Sequence, residues 1–154
     1  EDFGVSVSLE PKLFRDWNGA GCHTNFSTNT MRAGTGGMDY IHDMMKKMEA
    51  KHVFHISLYG NNEKRLTGHH ETSSRDKFSY GPGNRGASIR IPTSTAADNG
   101  RGYIEDRRPA SDMDPYVVGA AIIDTTILEE SLIQPLVEHY HAWRQWLKTA
   151  EIEE

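Results

Sequence analysis

The segment from Met38 to Lys51 constrains the fold more than any other part of the sequence. Met38, Ile41, Met44, Met45 and Met48 recur at spacings of three and four, the period of one helical face. Such a stripe must be buried against another element. Methionine fills irregular gaps in a core, so the stripe predicts a packing face rather than a cofactor site. A different period governs the first residues. Phe3, Val5, Val7 and Leu9 alternate with Gly4, Ser6 and Ser8, as in a half-buried strand. The chain begins Glu1-Asp2 without a methionine. The segment therefore predicts either a strand entered in mid-sheet or an amino terminus forming an edge strand.

Extended runs are predicted at Cys22 to Thr28, Ala87 to Ile91 and Tyr103 to Glu105. His52 to Tyr59 reads as a continued helix or a turn into extended chain. Asn62 to Asn84 is polar and poorly periodic; ordered loops of that length are commonly functional. Thr93 to Gly102 reads as a polar turn and Arg107 to Pro115 as irregular. Asp114 and Pro115 suit the cap and first position of a helix. A second helix is predicted from Pro135, with Leu136, Val137, Tyr140, Trp143 and Leu147 on one face.

Lysine and arginine total 17 against 22 acidic residues, a net charge of -5. That leaves no electrostatic footprint for nucleic acid or for an anionic membrane surface. No stretch approaches the roughly 20 apolar residues of a membrane span. A single cysteine, Cys22, excludes an internal disulfide and fits a reducing compartment. The apolar share of 36% fits a core shared with something else.

Four polar clusters stand out. In Asn18 to Asn25, Gly19 and Gly21 allow close backbone approach to a ligand, and His23 follows. A lone histidine after a glycine turn is more commonly structural than metal-ligating. Arg65 to Thr72 combines a guanidinium with Glu71; His69, His70 and Glu71 are too close in sequence to share one metal well, and a solvated loop is the plainer reading. Asn84 to Arg90 carries Arg85 and Arg90, five apart, which converge only if the chain bends near Gly86. In Gly102 to Pro109, Glu105 and Arg107 are two apart and share a strand face, as a surface ion pair or as part of one pocket. Four arginines near glycine turns in an acidic chain suggest a small polyanionic ligand. A histidine and a glutamate could add a divalent ion.

The runs NGAGCHTNFST (18 to 28), RLTGHHET (65 to 72), NRGASIRIP (84 to 92) and GYIEDRRPASDMDPY (102 to 116) together resemble glutamine synthetase of the eukaryotic type. The likeness extends from about Asp2 to Leu128. Glu129 to Glu154, with Tyr140, Trp143 and Trp146, is less typical. The resemblance implies an α+β fold: residues 1–154 as the carboxy-terminal portion of the catalytic domain, a curved antiparallel sheet with flanking helices, incomplete on its own and without the amino-terminal β-grasp domain. It implies ATP-dependent joining of ammonia to glutamate through a glutamyl phosphate, in a cytoplasmic, plastid or mitochondrial homo-oligomer of stacked rings, a decamer.

The resemblance also implies roles. Asn18, Gly19, Arg65 and Arg107 bind glutamate. Asn25, Phe26, Ser27, Arg85, Arg90 and Tyr103 contact ATP. His23 and Glu105 ligate Mg2+ or Mn2+, and Glu71 and Arg85 are catalytic. The family's catalytic domain begins well upstream of Glu1, and that portion supplies the other metal-binding glutamates. The chain alone is therefore expected to be inactive. The alternative is a non-catalytic structural or assembly subunit, which would be free to lose Glu71 or Arg85.

Overall fold

The computed structural model describes residues 2–128, 132–139 and 142. Four short strands form one open sheet: β1 (Thr24–Phe26), β2 (Tyr80–Pro82), β3 (Ile89–Ile91) and β4 (Ile104–Asp106), in the order β1-β4-β3-β2. Five helices flank it: α1 (Asn29–Ala33), α2 (Gly37–Ala50), α3 (His52–Leu58), α4 (Thr93–Ala97) and α5 (Pro115–Thr126). A further helical stretch runs over 133–139. This is the expected α+β architecture. The sheet is mixed rather than wholly antiparallel, because β2, inside the segment read as loop, runs parallel to β3.

The α2 stripe packs as its spacing predicts. Ile41, Met44, Met45 and Met48 are buried and meet Ile89, Ile91 and Ile104 of the sheet and Val118, Ala121 and Ile122 of α5 in one core. Asp114 caps α5, its Oδ1 accepting from the backbone N–H groups of Tyr116 and Val117, and Pro115 opens the helix. α3 takes the helical option. α4 replaces part of the expected polar turn; its one buried residue, Thr95, bonds the backbone N–H and carbonyl of Tyr103 and so sets the entry to β4.

One expectation fails. Residues 5–10 have no regular structure, and Phe3, Val5, Val7 and Leu9 are 63–90% exposed. Alternation specifies which face a strand would bury, but a strand forms only against a hydrogen-bonding neighbour. None of β1–β4 pairs with this segment. The helix at 133–139 begins before Pro135. Tyr140, Trp143, Trp146 and Leu147 lie outside the described residues.

Candidate active site

Strand register creates a two-sided sheet. Asn25 and Arg90 both pair with Glu105, on either side of β4. The two-residue period puts Arg107 on the same face as Glu105, and His23 on that of Asn25. The opposite face carries Ile89, Ile91 and Ile104, all nearly inaccessible. Phe26 also turns to that side and packs on the core.

Glu105 is the hub of the charged face. It is 7% exposed and receives three groups. His23 Nδ1 lies 3.1 Å from Oε1, Arg90 Nε lies 2.5 Å from Oε2, and Arg107 Nη1 lies 3.4 Å from both oxygens. The Arg90 contact is an ion pair off the line a hydrogen bond needs, so that N–H stays without an acceptor. Arg107 Nη2 donates to the carbonyl of Glu71 at 3.2 Å. The Glu71 carboxylate in turn meets Arg85 Nη2 at 3.0 Å. His70 and Glu71 both have positive φ, 54° and 59°, which costs energy for residues with a Cβ and is typical of functional loops.

Arg65 reaches the same place from the loop after α3. It is buried and donates to the carbonyls of Arg107 and Arg108 and to Asn62 Oδ1. Its Nη2 is 3.4 Å from His23 Nε2. The glycine-rich turn before His23 makes room for this guanidinium: a Cβ on Gly21 would lie 2.7 Å from Arg65 Cζ, and one on Gly19 would lie 3.0 Å from Arg65 Cγ. The close approach expected of these glycines is thus made by a side chain of the same chain. The turn at 85–86 supplies the bend that Arg85 and Arg90 required. They join through Glu71, Arg107 and Glu105 rather than by touching.

Contacts therefore link seven of the expected residues: His23, Arg65, Glu71, Arg85, Arg90, Glu105 and Arg107. Asn25 joins the cluster only by strand pairing with Glu105 and Gly19 only by its close approach to Arg65, and the contacts above do not link Asn18, Phe26, Ser27 or Tyr103 to it. Asn18 is exposed, Asn25 is exposed on the charged face, and Ser27 is half-buried. Tyr103 is 38% exposed beside β4.

Electrostatics favour an anionic ligand. The Nε–H groups of Arg65 and Arg107 are buried without a hydrogen-bond acceptor among the described residues, and that of Arg90 has only its ion pair with Glu105. Buried donors left unpaired are costly, and the four guanidinium groups of the cluster outnumber the carboxylates of Glu71 and Glu105, an excess of positive charge that favours an anion. Burial, with the repulsion of Arg107 next, pushes His23 below its ordinary 6.5, against the pull of Glu105. Its imidazole is neutral at pH 7 and keeps a lone pair. Burial, followed by the charge of Arg107, lowers Arg65 to about 10, so it stays cationic. His23 and Glu105 together offer one nitrogen and two oxygens to a divalent cation. No group of three or more His, Cys, Asp or Glu suited to a metal occurs among the described residues. The residues present fit one side of a metal site.

The core face holds what sequence reasoning missed. Arg108 is fully buried, with Nε and Nη2 donating to Asp106 at 2.9 and 2.7 Å. Its Nη1 donates to His52 Nδ1 at 3.0 Å and its Nη2 to His55 Nδ1 at 2.9 Å. The rings of Tyr59 and Phe78 lie 5.3 and 5.4 Å from its Cζ. Two adjacent arginines on a strand must face opposite ways, and that was the available signal.

Burial, and then the charge of Arg108, lowers His55 to about 3. The unfolded chain takes up this proton below about pH 6.5, whereas the folded one resists until about 3. His55 thus contributes stability that is complete above the unfolded value and lost as pH falls across that window. The expected slope is about 1.4 kcal/mol per pH unit from this group. Urea midpoints measured from pH 7 to 4 should fall less steeply in His55→Gln than in the parent; equal slopes would contradict the assignment.

One face of this open α+β sheet gathers guanidinium groups around an imidazole and a carboxylate, an arrangement suited to a small polyanion. The family profile described as the glutamine synthetase catalytic domain matches residues 1–128, and the chain belongs to the glutamine synthetase family. Glutamine synthetase of Neurospora crassa is 59% identical over 127 residues, 81% of this chain and 34% of the relative. The cytosolic isozyme of Daucus carota is 57% identical over 127 residues, 81% and 36%. The chloroplastic enzyme of Oryza sativa subsp. japonica is 54% identical over 136 residues, 87% and 31%. The chain spans about a third of the length of these curated relatives. No described helix is long and apolar enough to cross a membrane.

Proposed function

We propose that this chain forms one wall of the site at which a glutamine synthetase joins ammonia to glutamate at the expense of ATP. The observation that carries this reading is the linked cluster around Glu105, in which Arg65, Arg85, Arg90 and Arg107 gather about Glu71 and Glu105. A glutamate γ-carboxylate oxygen attacks the γ-phosphorus and ADP leaves. Ammonia then attacks the acyl carbon and phosphate leaves. Arg85 and Arg90 neutralise the phosphoryl oxygens during transfer. Arg65 and Arg107, with Asn18 and Gly19, hold the glutamate. Asn25, Ser27, Tyr103 and the backbone of Phe26 contact the nucleotide.

His23 and Glu105 hold a magnesium or manganese ion, which, when bound, offsets charge on the phosphate oxygens. Glu71 lies above Arg107 on a strained loop, as a group that covers the acyl phosphate and accepts a proton from ammonium should. The remaining metal ligands come from outside the chain, so the chain alone is inactive. We also propose that it works within a homo-oligomer of stacked rings. The more than half-exposed Phe3, Val5, Val7, Leu9, Leu13, Phe14 and Trp17 support an extensive covering surface there.

Two outcomes test this. The purified 154-residue chain should make no glutamine from glutamate, ammonia and ATP, and measurable synthesis overturns that expectation. In the complete protein, Arg90→Ala should weaken binding of ATP with magnesium about 10- to 100-fold by calorimetry. Unchanged affinity removes Arg90 from the nucleotide site.

A further inference from the structure

We infer that the buried Asp106–Arg108 pair, on the core face of β4, is a positioning device for the ligand-binding groups on the opposite face. The inference rests on the reading of that face as the ATP and glutamate site. Along β4 and its continuation, Glu105, Asp106, Arg107 and Arg108 alternate faces. The two that face the core are the most completely buried of the four, at 1% and 0% exposure.

Arg108 is tied down on every side. Its backbone N–H and its Nε both donate to Asp106 Oδ1, and its guanidinium also meets Asp106 Oδ2, His52 and His55. His52 and His55 belong to α3. His52 Nε2 donates to the carbonyl of Arg75, and His55 Nε2 lies 2.7 Å from Thr125 Oγ1 in α5. The guanidinium therefore clamps β4 to α3, and through α3 to α5 and the loop at Arg75.

The clamp acts on the site by two routes. One is the strand itself: fixing Asp106 and Arg108 fixes the direction in which Glu105 and Arg107 project. The other is the Arg108 carbonyl, which accepts from Arg65 Nη1 at 3.1 Å and from Asn62 Nδ2 at 3.0 Å. Arg65 is thereby held against the backbone that Arg108 immobilises. A buried ion pair is poor evidence for stability, because a well-packed apolar pair often does as well. Its geometric specificity is the function left for it. Arg108 is fully buried on the core side, away from the face assigned to the ligands, and is a positioning residue.

The test separates positioning from stability. In the complete protein, Asp106→Val with Arg108→Met replaces the pair by apolar groups and leaves no charge unpaired. Its unfolding midpoint is expected above that of Arg108→Met alone, though below the parent's because His52 and His55 lose a donor, while affinities for ADP with magnesium and for glutamate fall at least about tenfold by calorimetry, with KM for glutamate rising in parallel. Arg108→Lys keeps the charge but lacks the planar fork. It should show the same affinity loss with a smaller loss of stability than Arg108→Met, and it decides the matter if the double variant does not fold. Parent-like affinity in a folded double variant, or in Arg108→Lys, overturns the proposal and leaves the pair as packing alone. If the parent itself binds neither probe, the reading of the charged face fails first and the positioning role with it.

Discussion

Arg107→Ala is expected to lower glutamine formation by the complete protein about 100- to 1000-fold at saturating ATP. Arg107 ties the Glu105 hub to the Glu71 loop. Arg107 is 8% exposed, its Nη1 is shared between both Glu105 oxygens, its Nη2 holds the Glu71 carbonyl, and its Nε–H is unpaired. Truncation removes the strap on the Glu71 loop and the guanidinium assigned to glutamate in one step. It also raises the basicity of His23, since Arg107 is the largest charge depressing it. Arg107→Lys restores the charge without the fork and should recover little of the rate. Initial rates within about tenfold of the parent would show that Arg107 holds the fold rather than the substrate.

The second large effect is on stability. Arg108→Met should cost about 3–5 kcal/mol, because it strands the Asp106 carboxylate in the core. Burial opposes ionisation of Asp106, but the Arg108 charge and its hydrogen bonds outweigh that and hold the carboxyl below its ordinary value. Without Arg108 the balance reverses, and the group must protonate or drag in water. The exposed pair of Arg101 with Asp98 at 3.8 Å is the control. Both side chains are more than 60% exposed, so Arg101→Met should barely move the urea midpoint. A small effect for Arg108→Met would mean that the core around His55 and Tyr59 is wetter than its burial indicates.

These two neighbours mark the boundary of what sequence reading can reach. The candidate residues that the structure clusters were legible because they depend on residue type and order: guanidinium groups near glycines, a histidine after a turn, and Glu105 and Arg107 two apart along the chain. The Met38 to Lys51 stripe was legible because a local period of 3.6 needs no knowledge of the partner. The same logic misled at Phe3 to Leu9. The alternation there is genuine, yet pairing is non-local, and no described strand pairs with it.

By itself, then, the sequence determined helix α2, the capped start of α5, the family, and which side chains could handle a polyanion. Only the tertiary structure decided that Glu105 would be the hub and that Gly21 would make room for Arg65. It also decided that Arg108 would turn away from the site to clamp α3. The physical reason is that periodicity and residue chemistry act over a few residues. Register across β1, β4 and β3 brings together groups as far apart as His23 and Glu105, and no local pattern carries that information.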